Sequence, residues 1–282
     1  MTTATATTPA PRVLLVGATS RTGLFAVPHL LKKGWHIIAS VRSEARAAEV
    51  KKLAEATAAG TLETYVLDLT SLKTPADARA VLDATKPTYV VWPAGANEDA
   101  DAETIHAIDF VAAQAFMRAT VADTNVTKYM HLSYLQNRRR HAPWWNAEDG
   151  KISDYFNTEV IGIFHKARVV SDGLFAALVA QRRKTDPAFQ GILFRPSVLV
   201  DTEPTGKFRI VRAAATGSVT RADTADVLVR LLARDDVHGY VDLENGEAGA
   251  DEEIQKAVAE GFDAIEGEFD STEALLAEYG LN

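Results

Sequence analysis

The sequence predicts an α/β fold: a doubly wound, mostly parallel sheet with a small C-terminal elaboration. Three observations point there. Short β-rich runs alternate with helix-length amphipathic stretches from Arg12 onward, which implies βαβ units. Runs such as "VLLV" are apolar without a break, as strands buried on both faces are. A glycine-rich turn, "GATSRTG" at residues 17–23, follows the first strand and opens the first helix.

Strands are expected at "RVLLVG" from Arg12, "HIIASVR" from His36, "ETYVLDL" from Glu63, "TYVVWPAG" from Thr88, "KYMHLSY" from Lys128 and "GILFRPS" from Gly191. Helices are expected over Thr22–Lys33, Ser43–Ala59, Pro75–Ala84, Ala102–Asp123 and Phe156–Arg183. After Ser197 the regularity falls to a loop, a short strand around Phe208–Val211 and a helix over Arg221–Arg234, with Thr220 as its N-cap and Asp223 at its third position. The acidic tail holds two helical pieces, Glu252–Ala259 and Thr272–Tyr279. No fixed-period repeat or long linker interrupts the chain. The expected organisation is a frayed tail over 1–11, one continuous domain over 12–247 that includes the cleft, and an acidic helical extension over 248–282.

At 282 residues the chain buries a substantial core, and its 47% apolar content is ordinary for a globular protein. No apolar run of about 18 residues suggests a membrane span. A net charge of -8 argues against non-specific nucleic-acid binding. The absence of cysteine excludes disulfides, thiolate metal sites and thiol nucleophiles, and fits a reducing compartment. No histidine pair stands at helical spacing with a carboxylate, so no metal site is expected. The opening "MTTATATTPAP" has neither the positive charge nor the apolar core of a secretory signal, which makes the cytoplasm the expected location.

The glycine-rich turn carries the first chemistry. Gly17 lets the chain leave the strand tightly, and Gly23 permits close approach of helix and sheet. The intervening Thr19, Ser20, Arg21 and Thr22 present N–H groups at the helix start that suit a pyrophosphate. Ser20 stands where the usual pattern has its middle glycine, and its hydroxyl can donate to a phosphate. The second strand then bears on which dinucleotide. An NAD-selective protein commonly ends that strand with a carboxylate for the ribose 2′-hydroxyl, whereas this one ends "SVRSEAR" with Arg42. A guanidinium grips a 2′-phosphate in two places, and Ser43, Arg46 and Arg21 can add to the grip. The expected cofactor is NADP.

With these motifs in order, the sequence resembles the atypical short-chain dehydrogenase/reductase superfamily, in its NAD(P)H-binding, NmrA-like and flavin-reductase-like branch. The resemblance runs from about Arg12 to about Glu247 and includes "LDLTS", "PAGAN", "HLSY", "HKARVVSDGL", "LFRPSVLVD" and "VTRADTADVLVRLL". It implies a Rossmann-type sheet with a cleft built from the C-terminal third. It places Asp68 and Leu69 beside the adenine, Ala94 and Gly95 against the cofactor, and the backbone after Pro196, near Ser197 and Val198, beside the nicotinamide.

Standard members use a Ser, a Tyr and a Lys four residues after the Tyr. Here Ser133 matches the serine and Lys166 the lysine, which would hold the nicotinamide ribose. The tyrosine position is Gly162. Three substitutes for the proton donor are available: His165, which titrates near neutral pH, Tyr155, just before the long helix, and Tyr134. Tyr134 neighbours Ser133 but is expected to face the other way, as adjacent strand residues do. A hydride acceptor with a delocalised π system needs no dedicated acid, because water supplies the proton. In "NRRRHAPWWNAEDG", Trp144 and Trp145 can stack on a flat substrate while an arginine meets its carboxylate or phenolate; otherwise they pack on the surface.

The expected function is NADPH-dependent reduction of a carbonyl, quinone or flavin-like aromatic small molecule, with natural-product tailoring as an analogy. A non-catalytic, NADP-binding redox sensor of the NmrA type and a cofactor-retaining isomerase are the alternatives. Neither a nucleic-acid partner nor a membrane is expected.

Overall fold

The computed structural model describes residues 9–57, 59–97 and 99–281, so residues 1–8 of the expected tail and Ala58 of the second expected helix lie outside it. Strand β1 (Arg12–Leu15) leads through α1 (Arg21–Lys32) to β2 (His36–Val41), then through α2 (Glu44–Glu55) to β3 (Thr61–Val66). Helix α3 (Pro75–Thr85), opened by a Thr74–Asp77 capping box, returns to β4 (Tyr89–Trp92). The next crossover is α4 (Ala102–Ile105), a π segment (His106–Ala112) and α5 (Ala113–Ala122), and it ends at β5 (Lys128–Leu132). Helix α6 (Ala147–Tyr155), a second π segment (Phe156–Val160) and α7 (Gly162–Arg183) lead to β6 (Gln190–Pro196). The chain finishes with β7 (Val198–Val200), β8 (Phe208–Arg209), β9 (Ser218–Thr220), α8 (Arg221–Leu232), β10 (Gly239–Asn245), α9 (Ala250–Glu260) and α10 (Thr272–Glu278).

The main sheet has the order β3-β2-β1-β4-β5-β6-β10-β8. All its pairings are parallel except the last, where β8 runs antiparallel to β10. The reversal of strand order between β1 and β4 opens the crevice at the carboxyl ends of the strands, where this class of sheet takes its ligands. Side-chain alternation sorts the core into two layers. Val13 and Leu15 of β1 face α1, α8 and α9, while Leu14 and Val16 face α3, α5 and α7. Both layers are lined by buried apolar side chains, as the unbroken apolar strands predict.

Several elements depart from expectation. Strands β7 and β9 pair in parallel as a small second sheet where a loop was expected. Strand β10 is a seventh parallel strand inside a stretch read as irregular. Helix α6 falls where a loop was expected. The two long helices expected over Ala102–Asp123 and Phe156–Arg183 carry π segments, which reset the register of side chains facing the crevice.

Candidate functional site

The turn after β1 is built by contact distance. Gly17 has φ +82°, and a Cβ there would lie 2.7 Å from the Cβ of Ala94, which follows β4. Its N–H donates to Ser40 Oγ at 3.0 Å, tying the turn to β2. A Cβ on Gly23 would meet the Gly17 carbonyl oxygen at 2.6 Å, so helix and turn touch backbone to backbone. Ser20 is the N-cap of α1, and its Oγ accepts the Gly23 N–H at 3.0 Å. This cap leaves the Ser20 O–H to donate elsewhere. Thr19 and Thr22 are half-buried and buried, and Arg21 is exposed on the first helical turn. The cradle that bare backbone creates between Gly17, Ala94 and the start of α1 fits a dinucleotide diphosphate.

Arg42 is the first residue after β2. It is exposed, and among the described residues no hydrogen bond or ion pair holds its guanidinium. Arg46, expected to add to that grip, donates through Nη2 to the Thr19 carbonyl at 3.0 Å and pairs through Nη1 with Glu49 at 2.9 Å. Arg46 therefore braces the glycine turn. Ser43 stands at the N-cap of α2 without a side-chain cap bond. Asp68 caps the short 3₁₀ turn Leu69–Ser71 by accepting from Thr70 N–H at 3.0 Å, which leaves Leu69 half-buried at the crevice end of β3.

On the other side of the crevice, Ala94 is buried and Gly95 packs against a pair that sequence reasoning missed. Arg168 of α7 donates through Nε and Nη2 to Asp109 Oδ1, at 2.9 and 2.7 Å. Asp109 Oδ2 accepts the Ala96 N–H at 3.0 Å. A Cβ on Gly95 would land on the Arg168 guanidinium. Asp109 lies in the first π segment, and the 59 residues between the partners hide the contact from any local pattern.

The proton-transfer candidates divide. Ser133 and His165 are joined through Asn137, whose Nδ2 donates to Ser133 Oγ at 3.2 Å and whose Oδ1 lies 3.0 Å from His165 Nδ1. Ser133 Oγ donates in turn to Asp172 Oδ2 at 2.6 Å. The expectation that Tyr134 packs elsewhere is corrected. Ser133 and Tyr134 lie beyond the last residue of β5, so strand alternation no longer applies, and Tyr134 Oη sits 2.9 Å from His165 Nδ1. Tyr134 also donates to Oδ1 of Asn157, in the second π segment, at 3.2 Å. Burial lowers the His165 pKa, and burial raises the Tyr134 phenol well above its ordinary value, partly opposed by Arg168. Tyr155 and Lys166 take no part in this network. Tyr155 ends α6 at 64% exposure, and Lys166 is exposed on α7. Gly162 opens α7 with only the Asn157 carbonyl near its missing side chain.

The two tryptophans are half-buried and anchored within the fold. Trp144 and Trp145 both donate Nε1–H to the Ala213 carbonyl at 3.0 Å, and the Arg138 guanidinium lies 5.0 and 5.2 Å from their ring centres. Arg138 is itself buried, donating to Asp242 Oδ2 at 3.0 Å. Arg139 pairs with Glu278 and Arg140 with Asp270, both at 2.7 Å, so the acidic tail closes over the basic loop. Pro196 and Ser197 are buried at the end of β6, and the Ser197 N–H donates to Leu243 of β10 at 2.7 Å. Two adjoining cavities, of about 400 and 580 Å³, share Arg138, Arg139, Arg140 and His165 in their walls. The segment "NRRRHAPWW" thus reaches the cavities through Arg138, Arg139 and Arg140 rather than through Trp144 and Trp145.

A parallel seven-strand sheet with a backbone-only cradle at its switch point defines a dinucleotide-binding protein of the Rossmann type. The NAD(P)H-binding family model matches residues 17–235, and the chain belongs to that family. Among solved structures, it is similar to a Bacillus halodurans protein assigned as an NAD-dependent epimerase/dehydratase, at 20% identity and a TM-score of 0.67, over 88% of this chain and 100% of that one. It is also similar to the oxidoreductase ylbE of Lactococcus lactis, at 17% identity and a TM-score of 0.65, over 88% and 97% of the two chains. A Streptococcus pneumoniae protein assigned as an NADH-flavin reductase matches at 16% identity and a TM-score of 0.55, over 84% of this chain and 100% of that one. Compared by sequence with curated proteins, the chain has no match.

Proposed function

We propose that this protein is an NADPH-dependent oxidoreductase acting on a carbonyl, quinone or flavin-like aromatic small molecule. The observation that carries the reading is Arg42, exposed and unpaired at the end of β2, one strand from a glycine turn shaped for a diphosphate. Gly17, Thr19, Ser20, Thr22 and Gly23 would hold the diphosphate, Arg42 the 2′-phosphate, Asp68 and Leu69 the adenine side, and Ala94 and Gly95 the nicotinamide side. Lys166 and the backbone at Pro196 and Ser197 complete that set. NADPH, when bound, supplies the hydride. Ser133 orients the acceptor by hydrogen bonding. His165, fixed by Asn137 and Tyr134, holds a proton position at the cavity wall.

A second reading rests on Gly162. With no tyrosine four residues before Lys166, an NADP-binding redox sensor fits the same cradle. The two separate by experiment. Fluorescence titration is expected to give tighter binding of NADPH than NADH, and a panel of menadione, FMN and aromatic ketones is expected to contain an acceptor that oxidises NADPH. Binding without turnover across the panel selects the sensor; no affinity for either nucleotide removes both readings.

A further inference from the structure

Ser133, just past β5, and Asp172, on α7, share one hydrogen bond in a pocket where both are buried, at 5% and 2% exposure. Asp172 Oδ2 takes two donors, the Ser133 hydroxyl at 2.6 Å and Asn137 Nδ2 at 2.5 Å. Its other oxygen, Oδ1, is buried and has no hydrogen-bond partner among the described residues. A hydroxyl has a single proton. While Asp172 is ionised, that proton points at the carboxylate, and Asn137 occupies one of the serine's lone pairs as well. Ser133 then has nothing to donate toward the crevice.

Resting on the reading of Ser133 as the group that meets the acceptor, we propose that Asp172 is a positioning residue whose protonation turns the Ser133 hydroxyl from Asp172 toward the crevice. A protonated Asp172 donates to Ser133 Oγ, and the serine keeps its own proton, now free to donate a hydrogen bond to the acceptor. The proton Asp172 gains or loses is exchanged with solvent, and no bond other than O–H changes.

The surroundings put both states within reach. Burial raises the Asp172 carboxyl, and the Ser133 hydrogen bond, Arg195 of β6 and Asn137 oppose it, while Glu268 of the tail adds to the rise; it is pushed up to about 7. The other titratable groups facing Asp172 are Arg168 one turn back on α7, Tyr134 past β5, Tyr240 on β10 and Tyr279 in the tail. Tyr240 also donates to the Asp172 backbone carbonyl at 2.7 Å, which fixes the helix turn that carries the carboxyl.

The test is an NMR titration of protein labelled with ¹³C in its aspartate carboxyls, with and without NADP⁺, from about pH 5 to about pH 9. One carboxyl is expected to titrate near neutrality and to vanish in Asp172→Asn. Its midpoint is expected to rise in Ser133→Ala, because the ionised form loses a donor. An Asp172 midpoint below about pH 5, or one that Ser133→Ala leaves in place or lowers, overturns the proposal. NADPH oxidation by menadione, where measured, should fall on the alkaline side of the midpoint; an alkaline plateau also overturns it. Should Asp172→Asn fail to fold, the Ser133→Ala shift still decides. NADPH fluorescence binding on the same samples reports separately on the dinucleotide reading, which can fail while the carboxyl titration stands.

Discussion

Arg42 and Gly17 act through what they lack, the one a carboxylate partner and the other a side chain. Arg42→Ala is expected to weaken NADPH binding by about ten- to a hundredfold, the worth of one or two charge-assisted hydrogen bonds, and to change NADH binding little. Equal loss for both nucleotides in a fluorescence titration would place Arg42 outside the 2′-phosphate site. The positions of these two residues were legible in the sequence because they are local: a turn after a strand, and a charge at the next strand's end. Asn137, Asp172 and the Asp109–Arg168 pair were not. Their contacts span 35 and 59 residues, and only the folded sheet brings them to one crevice. Tyr134 was misjudged by two residues of strand length, since alternation holds only while the strand lasts.

Elements tell a similar story through periodicity. The six strands expected from apolar runs are present, but β10 was hidden because "GYVDLEN" carries Asp242 and Glu244, charges that rarely mark a buried strand. Inside, Asp242 meets Arg195 Nε at 2.7 Å and Arg138 at 3.0 Å, while Glu244 accepts the Ala214 N–H at 2.9 Å. A π segment is equally silent, because one extra residue per turn barely disturbs a 3.6-residue pattern read over a long window. The tail, expected as an acidic helical extension, divides into a buried part and an exposed part. Glu268 is buried and accepts from Arg195 Nη1 at 2.6 Å, whereas Glu278 meets Arg139 at the surface. Glu268→Ala should destabilise the fold by about 3–5 kcal/mol, since it strips one of two carboxylates from a buried guanidinium. Glu278→Ala should cost under about 1 kcal/mol. Urea unfolding of the two variants measures the contrast, and similar values would refute it.

For the molecule as a whole, two buried groups set opposing dependences of stability on pH. His131, stacked on Trp92 at 5.9 Å, is lowered by burial from 6.5 to about 3. Between those values the unfolded chain holds a proton that the native state refuses, so this group's contribution is present above pH 6.5 and lost as pH falls toward 3. Asp172 is raised by burial from 3.8 to about 7, so its contribution is present below pH 3.8 and lost as pH rises through 7. Across the shared window the two slopes cancel, each amounting to at most about 1.4 kcal/mol per pH unit. Asp172→Asn should therefore unmask stability that climbs with pH, and His131→Phe stability that declines, relative to wild type in melts recorded from about pH 4 to about pH 6.5. Parallel curves for all three proteins would disprove the pairing. The way the carboxyl-terminal segment is fastened has a practical consequence too. Leu275 and Leu276 are sunk in the core, Tyr279 bridges Arg139 and the Val170 carbonyl, and Gln181 grips the Leu281 carbonyl. A bulky handle fused after these residues would load the contacts that hold Arg139 in the cavity wall.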